Sequence, residues 1–516
     1  MKSVAIIGAG FSGLVTAKIF KQYGFVVTVY EKESEVGGVW TSSRRYPGLT
    51  TQNPKDTYFL SDLKMPKHFP EWPNGDQVQA YLDAYVTYCH LRKHIILQTE
   101  VKKTDYDPES GKWIVKTEHT RSHLREVRVF DYLIICNGIF SDPLIPSYTG
   151  ADKFIAAGGK ILHTSKLNDL FEVANKNVVV VGYGKSSCDV ASAIADASLS
   201  TTVVARSILW KVPKKFFGLL NMKFILLTRL GENLFEYISL SGFAKFLHTA
   251  GKPLRNFLLW SVQSVVATQL KLKKSGVHPG DSLETIARAN VSLASDNFFN
   301  KILSKKIVIE KGQDIHYLLP GKAVLANGKE LPASVIVCGT GYRQAIPFMN
   351  ESIASKILDE QKNFKLYRNQ LPIDVPCLGF NGYNSSFYSQ LNAEMGALWL
   401  AEYFTGGLAI PSPEECSRHI AEKLAWSNHR SAGKNSKGTN IIPFSLHHID
   451  ELLGDIGYNV SRFTRFMQWL VPANPASYVP VIRKTIDRFD KNRRAQFFTS
   501  KKPHPHLGSP VVNFRD

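Results

Sequence analysis

Two stretches of the chain carry the same succession of apolar run, glycine turn and helical period. Val4-Ala5-Ile6-Ile7 is an unbroken apolar run of the length a buried parallel strand needs. It feeds Gly8-Ala9-Gly10-Phe11-Ser12-Gly13. Helical spacing from Leu14 to Tyr23 follows, then a second apolar run, Val26 to Tyr30, that ends at Glu31. The pattern restarts at Asn177 to Val181. Here Gly182-Tyr183-Gly184-Lys185-Ser186-Ser187 is the turn, Cys188 to Ala197 the helix and Thr201 to Ala205 the next strand. This order predicts two βαβ units that grip dinucleotides: Gly8 permits the tight turn, Gly10 a close backbone approach to pyrophosphate, and Gly13 the packing of helix on strand. The helix N-terminus offers free N–H groups and a positive dipole end to the phosphates. Glu31 stands where an acid takes a ribose hydroxyl. In the second unit Ser187 replaces the third glycine and Arg206-Ser207 replaces the acid, which suits a ribose 2′-phosphate and favours NADP over NAD.

Between and beyond these units the pattern is less regular. Gly37-Gly38-Val39-Trp40 reads either as close backbone approach to the first ligand or as a plain turn. Tyr46 to Lys55 is a loop, which spacing alone favours as a cover for the core over a wall for a cofactor ring. Gln77 to Cys89 predicts a helix. Ile95 to Thr99, Trp113 to Thr117 and Arg128 to Asp131 predict short antiparallel strands, with a hairpin turn at Pro108 to Lys112. Tyr132 to Cys136 predicts a buried strand closed by Asn137-Gly138, and Asp142 to Pro146 a domain crossing. Further strands are expected at Ile307 to Glu310, Ala323 to Leu325 and Val335 to Cys338, the last closed by Gly339-Thr340-Gly341-Tyr342. A strand and polar turn follow at Leu378 to Ser386, and a buried helix at Glu394 to Tyr403. Phe216 to Leu272 is apolar, aromatic and basic at mostly helical spacing. Three uses compete for it: a lid over an apolar substrate tunnel, core of its domain, and an interfacial membrane-binding face.

Composition narrows the function classes. The 516 residues suffice for two or three domains, and the net charge of +19 is high. The cations are scattered without an aromatic-interleaved basic motif, which favours a solvated surface that attracts a phosphorylated cofactor over nucleic-acid binding. The 6 cysteines are far apart with no C-x-x-C, so neither a zinc site nor a redox dithiol is expected, and a reducing compartment is. No apolar run reaches the ~18 residues of a spanning helix. The strand at Val4 argues against a signal peptide, and the polar Pro503-His504-Pro505-His506 against a tail anchor. The expectation is a cytoplasmic protein, with peripheral contact to an intracellular membrane as an open option and no inference about oligomeric state.

With Gly8 to Gly13, Glu31, Gly37 to Trp40, Thr51 to Asp62, Ile135 to Gly138, Gly182 to Asp189 and Val337 to Tyr342 in place, the sequence resembles the flavin-containing monooxygenases, a family of class B flavoprotein monooxygenases. The last stretch is similar to the family's A-T-G-Y, here with Cys338-Gly339 before Thr340. The resemblance implies an α/β fold with two Rossmann-like domains. The expected limits are 1–165 for the first part of the FAD domain, 166–333 for the NADPH domain with a helical insertion at about 214–300, and 334–516 for the rest of the FAD domain and a C-terminal helical region. It implies FAD along Gly8, Gly10, Ser12 and Gly13, with Glu31, Gly38, Trp40, Gln52, Asn53, Gly138, Thr340, Gly341 and Asn384 around it. NADPH would lie along Gly182, Gly184, Ser186 and Ser187, with Arg206 at its 2′-phosphate.

The resemblance further implies hydride transfer to the flavin, addition of O₂ to give a flavin C4a-hydroperoxide, and shielding of that species by NADP⁺ and an amide side chain. The family's T-N…K-E stretch corresponds to Thr51-Gln52-Asn53-Pro54-Lys55-Asp56, so the amide is Gln52 or Asn53, and Asn53 is taken as the catalytic one. The F-x-G-x-x-x-H-x-x-x-[FY] fingerprint falls on Gly159 to His163 with Ala157 for Phe and Leu167 for the aromatic, where Baeyer–Villiger relatives carry Trp; it does not separate the subclasses. The expected function is oxygen transfer to a hydrophobic small molecule by N- or S-oxygenation, hydroxylation or epoxidation, in secondary metabolism. The alternatives are a Baeyer–Villiger enzyme acting on a ketone and a non-catalytic flavin-binding regulator. Pyridine-nucleotide disulfide reductases would need the absent dithiol, and no metal is expected.

Overall fold

The computed structural model describes residues 1–288, 292–431 and 437–499; the Pro503–His506 stretch lies outside them. Each restart of the sequence pattern becomes the centre of a five-stranded parallel sheet. In the first, Ser3–Ile7 lies between Val26–Tyr30 and Tyr132–Ile135, with Ile95–Ile96 and Leu378–Phe380 at the edges. Val4, Ala5 and Ile6 are fully buried, as a strand covered on both faces requires. In the second, Asn177–Val181 lies between Ser200–Ala205 and Val335–Cys338, with Ile307–Lys311 and Lys160–His163 at the edges.

Two expectations need correction. Ile95–Ile96 pairs in parallel with Val29 and Tyr30. The antiparallel sheet is instead made of Thr99–Asp107, Lys112–His119 and Arg125–Phe130. A bulge between Val101 and Lys103 puts two exposed lysines in succession and breaks the period-2 signal of the missed strand. The expected limits 1–165, 166–333 and 334–516 also move, because Lys160–His163 and Val335–Cys338 belong to the second sheet. The chain leaves the first unit at Asp142–Pro143 and returns at Tyr342–Arg343, and these two segments pair with each other as an antiparallel ribbon. A short apolar run reveals that it is a buried strand and not which sheet it joins.

The helix Phe11–Gln22 packs on Ser389–Phe404. The latter is buried from Gln390 to Glu402, and its polar groups therefore need partners. Lys18 lies 3.5 Å from Glu394 and 2.7 Å from Asp62, and Ser61 donates to Glu394 from both N and Oγ. Tyr23 and Arg488 donate to Glu402 at 2.5 and 2.6 Å.

The region expected as a helical insertion is a small hairpin, Lys215–Phe216 with Leu220–Asn221, followed by helices at Lys223–Leu226, Arg229–Asn233, Gly242–His248 and Lys252–Gln269. Phe216, Met222, Leu227 and Val266 join the main core. Arg229 makes a bidentate pair with Asp450 at 2.6 and 2.9 Å, which fixes the insertion to the helix Ser445–Asp455. No described helix is long and apolar enough to cross a membrane.

Candidate functional site

The C-terminal ends of both sheets open into one cavity of about 1260 Å³, lined by both glycine turns. This is where ligands bind in open parallel sheets. In the first turn Gly8 has φ +104°, and a Cβ there would stand 2.5 Å from the Cys136 carbonyl oxygen. Gly38 (φ +61°) backs against Gly10, leaving 3.2 Å between a Cβ and the Gly10 Cα, so it packs against the first glycine turn itself. Glu31 is 6 % exposed. One carboxylate oxygen accepts from the Ala9 N–H at 2.8 Å and the other from the Glu33 N–H at 3.0 Å. Burial pushes its pKa above the usual carboxylate range against the pull of those two N–H groups. Held in this way, it keeps lone pairs for hydroxyl donors on the cavity side.

Of the residues the sequence singled out, Gly8, Gly10, Ser12, Glu31, Gly38, Trp40, Gln52, Asn53, Gly138, Gly182, Gly184, Ser186, Arg206, Thr340, Gly341 and Asn384 all line this cavity. Gly13 and Ser187 do not; they stand behind their turns, where helix meets strand. The loop from Tyr46 to Lys55 walls the cavity through Tyr46, Leu49, Thr50, Gln52 and Asn53, against the expectation that it merely covers core. Asn53 is 2 % exposed and donates from Nδ2 to the Phe387 carbonyl at 2.6 Å. Gln52 accepts from the Leu293 N–H at 3.3 Å and so reaches the second unit. Trp40 packs edge-on against Tyr58 with ring centroids 6.0 Å apart.

In the second unit, Gly184 precedes the helix Lys185–Ile194, and a Cβ on it would meet nothing within 4 Å. That space lies at a helix N-terminus, where a phosphate fits. Arg206 is exposed and stands 3.9 Å from Asp314, a carboxylate that the sequence reading did not place at this end. An exposed pair so loosely held is weak and yields readily to a phosphate. Thr340 Oγ1 donates to the Leu144 carbonyl, and His163 Nε2 lies 3.0 Å from the Gly341 carbonyl. Burial, and to a lesser degree the nearby Arg44, hold His163 below the usual histidine range, so it serves as a neutral donor to that carbonyl.

The strongest sign of a ligand is a set of buried polar atoms without well-aligned partners. Both amide atoms of Asn384 and of Gln390, and the hydroxyl of Tyr183, are buried without a well-aligned hydrogen bond among the described residues, Gln390 having only the Tyr58 hydroxyl beside it, and all three residues line the cavity. Such groups are expensive unless something satisfies them. Two dinucleotides rich in donors and acceptors would do so, and the residues therefore fit FAD and NADPH. The sequence reading found Asn384 through its glycine-bearing turn and missed Gln390, whose position in a buried helix carried no signal. The apolar stretch 216–272 contributes no lining residue to this cavity, so it is not a lid over it.

The profile of the flavin-binding monooxygenase-like family matches residues 1–468. Flavin-containing monooxygenase 3 of Rattus norvegicus is 25 % identical over 480 residues, covering 88 % of this chain and 83 % of the relative. Among solved structures, S-allyl-L-cysteine S-oxygenase from Allium sativum superposes with a TM-score of 0.62 at 19 % identity, over 97 % of this chain and 99 % of that one. Cyclohexanone monooxygenase from Rhodococcus sp. Phi1 bound to NADP⁺ gives 0.66 at 17 % identity, over 88 % and 97 %.

Proposed function

The chain belongs to the flavin-binding monooxygenase-like family and is an FAD- and NADPH-dependent monooxygenase, and from that premise we propose that it oxygenates a soft heteroatom, sulfur or nitrogen, of an apolar small molecule. The observation that carries the reading is the convergence of Asn53, Asn384 and Gln390 with both glycine turns in one cavity. Bound there, the two cofactors supply the reducing equivalents and the oxygen-transfer chemistry. The residues of the chain bind, orient and exclude water. Glu31 and the first turn hold FAD, and Arg206 and the second turn hold NADPH. The Phe387 carbonyl holds the Asn53 amide in place at the cavity wall, where it would meet a bound flavin, and Trp40 and Tyr58 would help close that end to water. Tyr46, Leu49, Leu209 and Ile442 give the remaining wall its apolar character. The relatives named a flavin-containing monooxygenase and an S-oxygenase support heteroatom transfer.

The test is turnover with NADPH and isotopically labelled O₂, offering a thioether, a tertiary amine and a cyclic ketone. Labelled sulfoxide or N-oxide is expected, and lactone as the main product would overturn the reading in favour of Baeyer–Villiger chemistry. Asn53→Leu should still be reduced by NADPH but divert most of it to hydrogen peroxide; an unchanged product yield would remove Asn53 from the mechanism.

We also propose that the insertion rests on an anionic membrane surface. Between Glu236 and Asp281 there is no carboxylate, while Lys245, Lys252, Lys271, Lys273 and Lys274 lie there. Phe243, Phe246, Phe257 and Trp260 of this stretch are exposed. Phe243 meets Trp469 with centroids 5.6 Å apart, next to exposed Phe463 and Phe466 in a second acid-free segment. Exposed rings flanked by lysines suit a headgroup layer. Full-length protein should sediment with vesicles containing phosphatidylserine and less with neutral ones, and Phe257→Asp/Trp260→Asp should stay in the supernatant. Equal sedimentation of that variant would defeat the assignment.

A further inference from the structure

Lys211 is 1 % exposed, and its ammonium sits directly behind the second glycine turn. Nζ donates to the Tyr183 carbonyl at 2.6 Å and to the Ser292 hydroxyl at 2.7 Å, and it lies 5.2 Å from the Tyr183 ring. A short parallel pairing, Lys211–Val212 with Ser292–Leu293, places it there. Leu293 in turn donates to Gln52 in the loop that carries Asn53. The ammonium thus joins the turn to a strand that touches the loop carrying Asn53.

Among the described residues Lys211 has no carboxylate partner. Asp189, on the helix after the turn, is engaged by Lys185 and by the Ser295 hydroxyl. The titratable and charged groups facing Lys211 are Tyr183 in the turn and Lys185, Cys188 and Asp189 on the helix; the paired strand brings only the Ser292 hydroxyl. Burial lowers the Lys211 pKa from the usual lysine range, with Cys188 and Asp189 opposing and Lys185 adding to the effect. A buried cation without a counter-charge destabilises the fold, and the site it abuts is built for an anion.

We propose that Lys211 is a positioning residue for the nicotinamide dinucleotide, with the cofactor's pyrophosphate supplying the counter-charge that the protein omits. The proposal rests on the reading of Gly182 to Ser187 as the NADPH turn. Two effects follow. Holding the Tyr183 carbonyl fixes the direction of the turn's N–H groups. The buried charge also strengthens phosphate binding, since charges interact more strongly away from water. Binding of the anion favours the protonated ammonium, so at alkaline pH complex formation takes up a proton, and affinity falls as pH rises. A 2′-phosphate has its second ionisation near ~6 and is fully charged in that range, so it does not mimic the effect.

The experiment is calorimetric titration of the FAD-loaded enzyme with NADP⁺ from neutral to alkaline pH, in two buffers of different ionisation enthalpy. Proton uptake that grows with pH, and a Kd that rises with it, are expected for the native enzyme. Lys211→Met should retain FAD, bind NADP⁺ about tenfold more weakly, a loss of ~1.4 kcal/mol, and take up no proton. Lys211→Arg should restore affinity and make it independent of pH. Binding by the native enzyme without proton uptake, or a Met variant with native affinity and pH profile, would overturn the role of Lys211 while leaving the turn's assignment standing. Failure of the native enzyme to bind NADP⁺ would instead overturn the turn's assignment, and the role of Lys211 with it.

Discussion

The hydroxyl of Ser187 occupies the space that a Cβ on residue 339 would need, and it donates to the Gly339 carbonyl at 3.1 Å. In the first unit the third glycine of the fingerprint, Gly13, makes this room from the helix side, because a Cβ on it would overlap the Gly8 carbonyl. In the second unit the room comes from the facing strand end. Ser187 for glycine and Gly339 in front of Thr340 are one compensated change, and neither departure weakens the site. Gly339→Ala should cost about 1–3 kcal/mol through overpacking. Ser187→Gly in the same chain should recover most of that, since contacting residues couple. Urea unfolding of the two single variants and the double variant measures it, and additivity would refute the compensation. At this scale the sequence was legible where function is local, as in Gly8 to Glu31. It was not legible at Gln390, since a buried amide without a well-aligned partner is a property of its surroundings and not of its neighbours in the chain.

Between elements, the contact that matters most for the first site is that of Phe11–Gln22, which begins the pyrophosphate turn, with Ser389–Phe404, which carries Gln390. Lys18, Glu394 and Asp62 hold it together. Replacing one member of a buried ion pair strands the other, so Lys18→Met should destabilise the protein by about 3–5 kcal/mol. Denaturant unfolding of the FAD-loaded protein, followed by flavin fluorescence, would show it; a midpoint equal to the native one would mean that the two Ser61 donors suffice for Glu394. The turn at Pro108 to Lys112 was readable, though the strand Thr99–Asp107 that enters it was not. Membership of Lys160–His163 and Val335–Cys338 in the second sheet was not readable, because these two strands pair with segments far away in the chain, and such pairing leaves no mark in a four-residue run.

For the molecule as a whole, the two units meet through Gln52 with Leu293, through Asn168, whose Nδ2 donates to the Ser42 and Arg45 carbonyls at 3.1 and 2.9 Å, and through Tyr46 with Asp189 at 3.3 Å. The insertion adds a further attachment through Arg229 and Asp450. These contacts bring the two turns to one cavity, an arrangement that the doubled fingerprint announced. The outward face of 216–272 was legible only as a choice among three uses, because aromatic and apolar residues read alike whether a core or a headgroup layer receives them. The paired crossings at Asp142–Pro143 and Tyr342–Arg343 also bear on the order in which the protein matures on the ribosome. All five strands of the second sheet lie between residues 160 and 311 or at 335–338 and emerge as one uninterrupted length, whereas the first sheet waits for Leu378–Phe380 and its helix Phe11–Gln22 for Ser389–Phe404. Domains fold as units as they emerge. The nucleotide unit that starts the chain is therefore the last whose strands and packing helix are all synthesised, after every strand of the second unit.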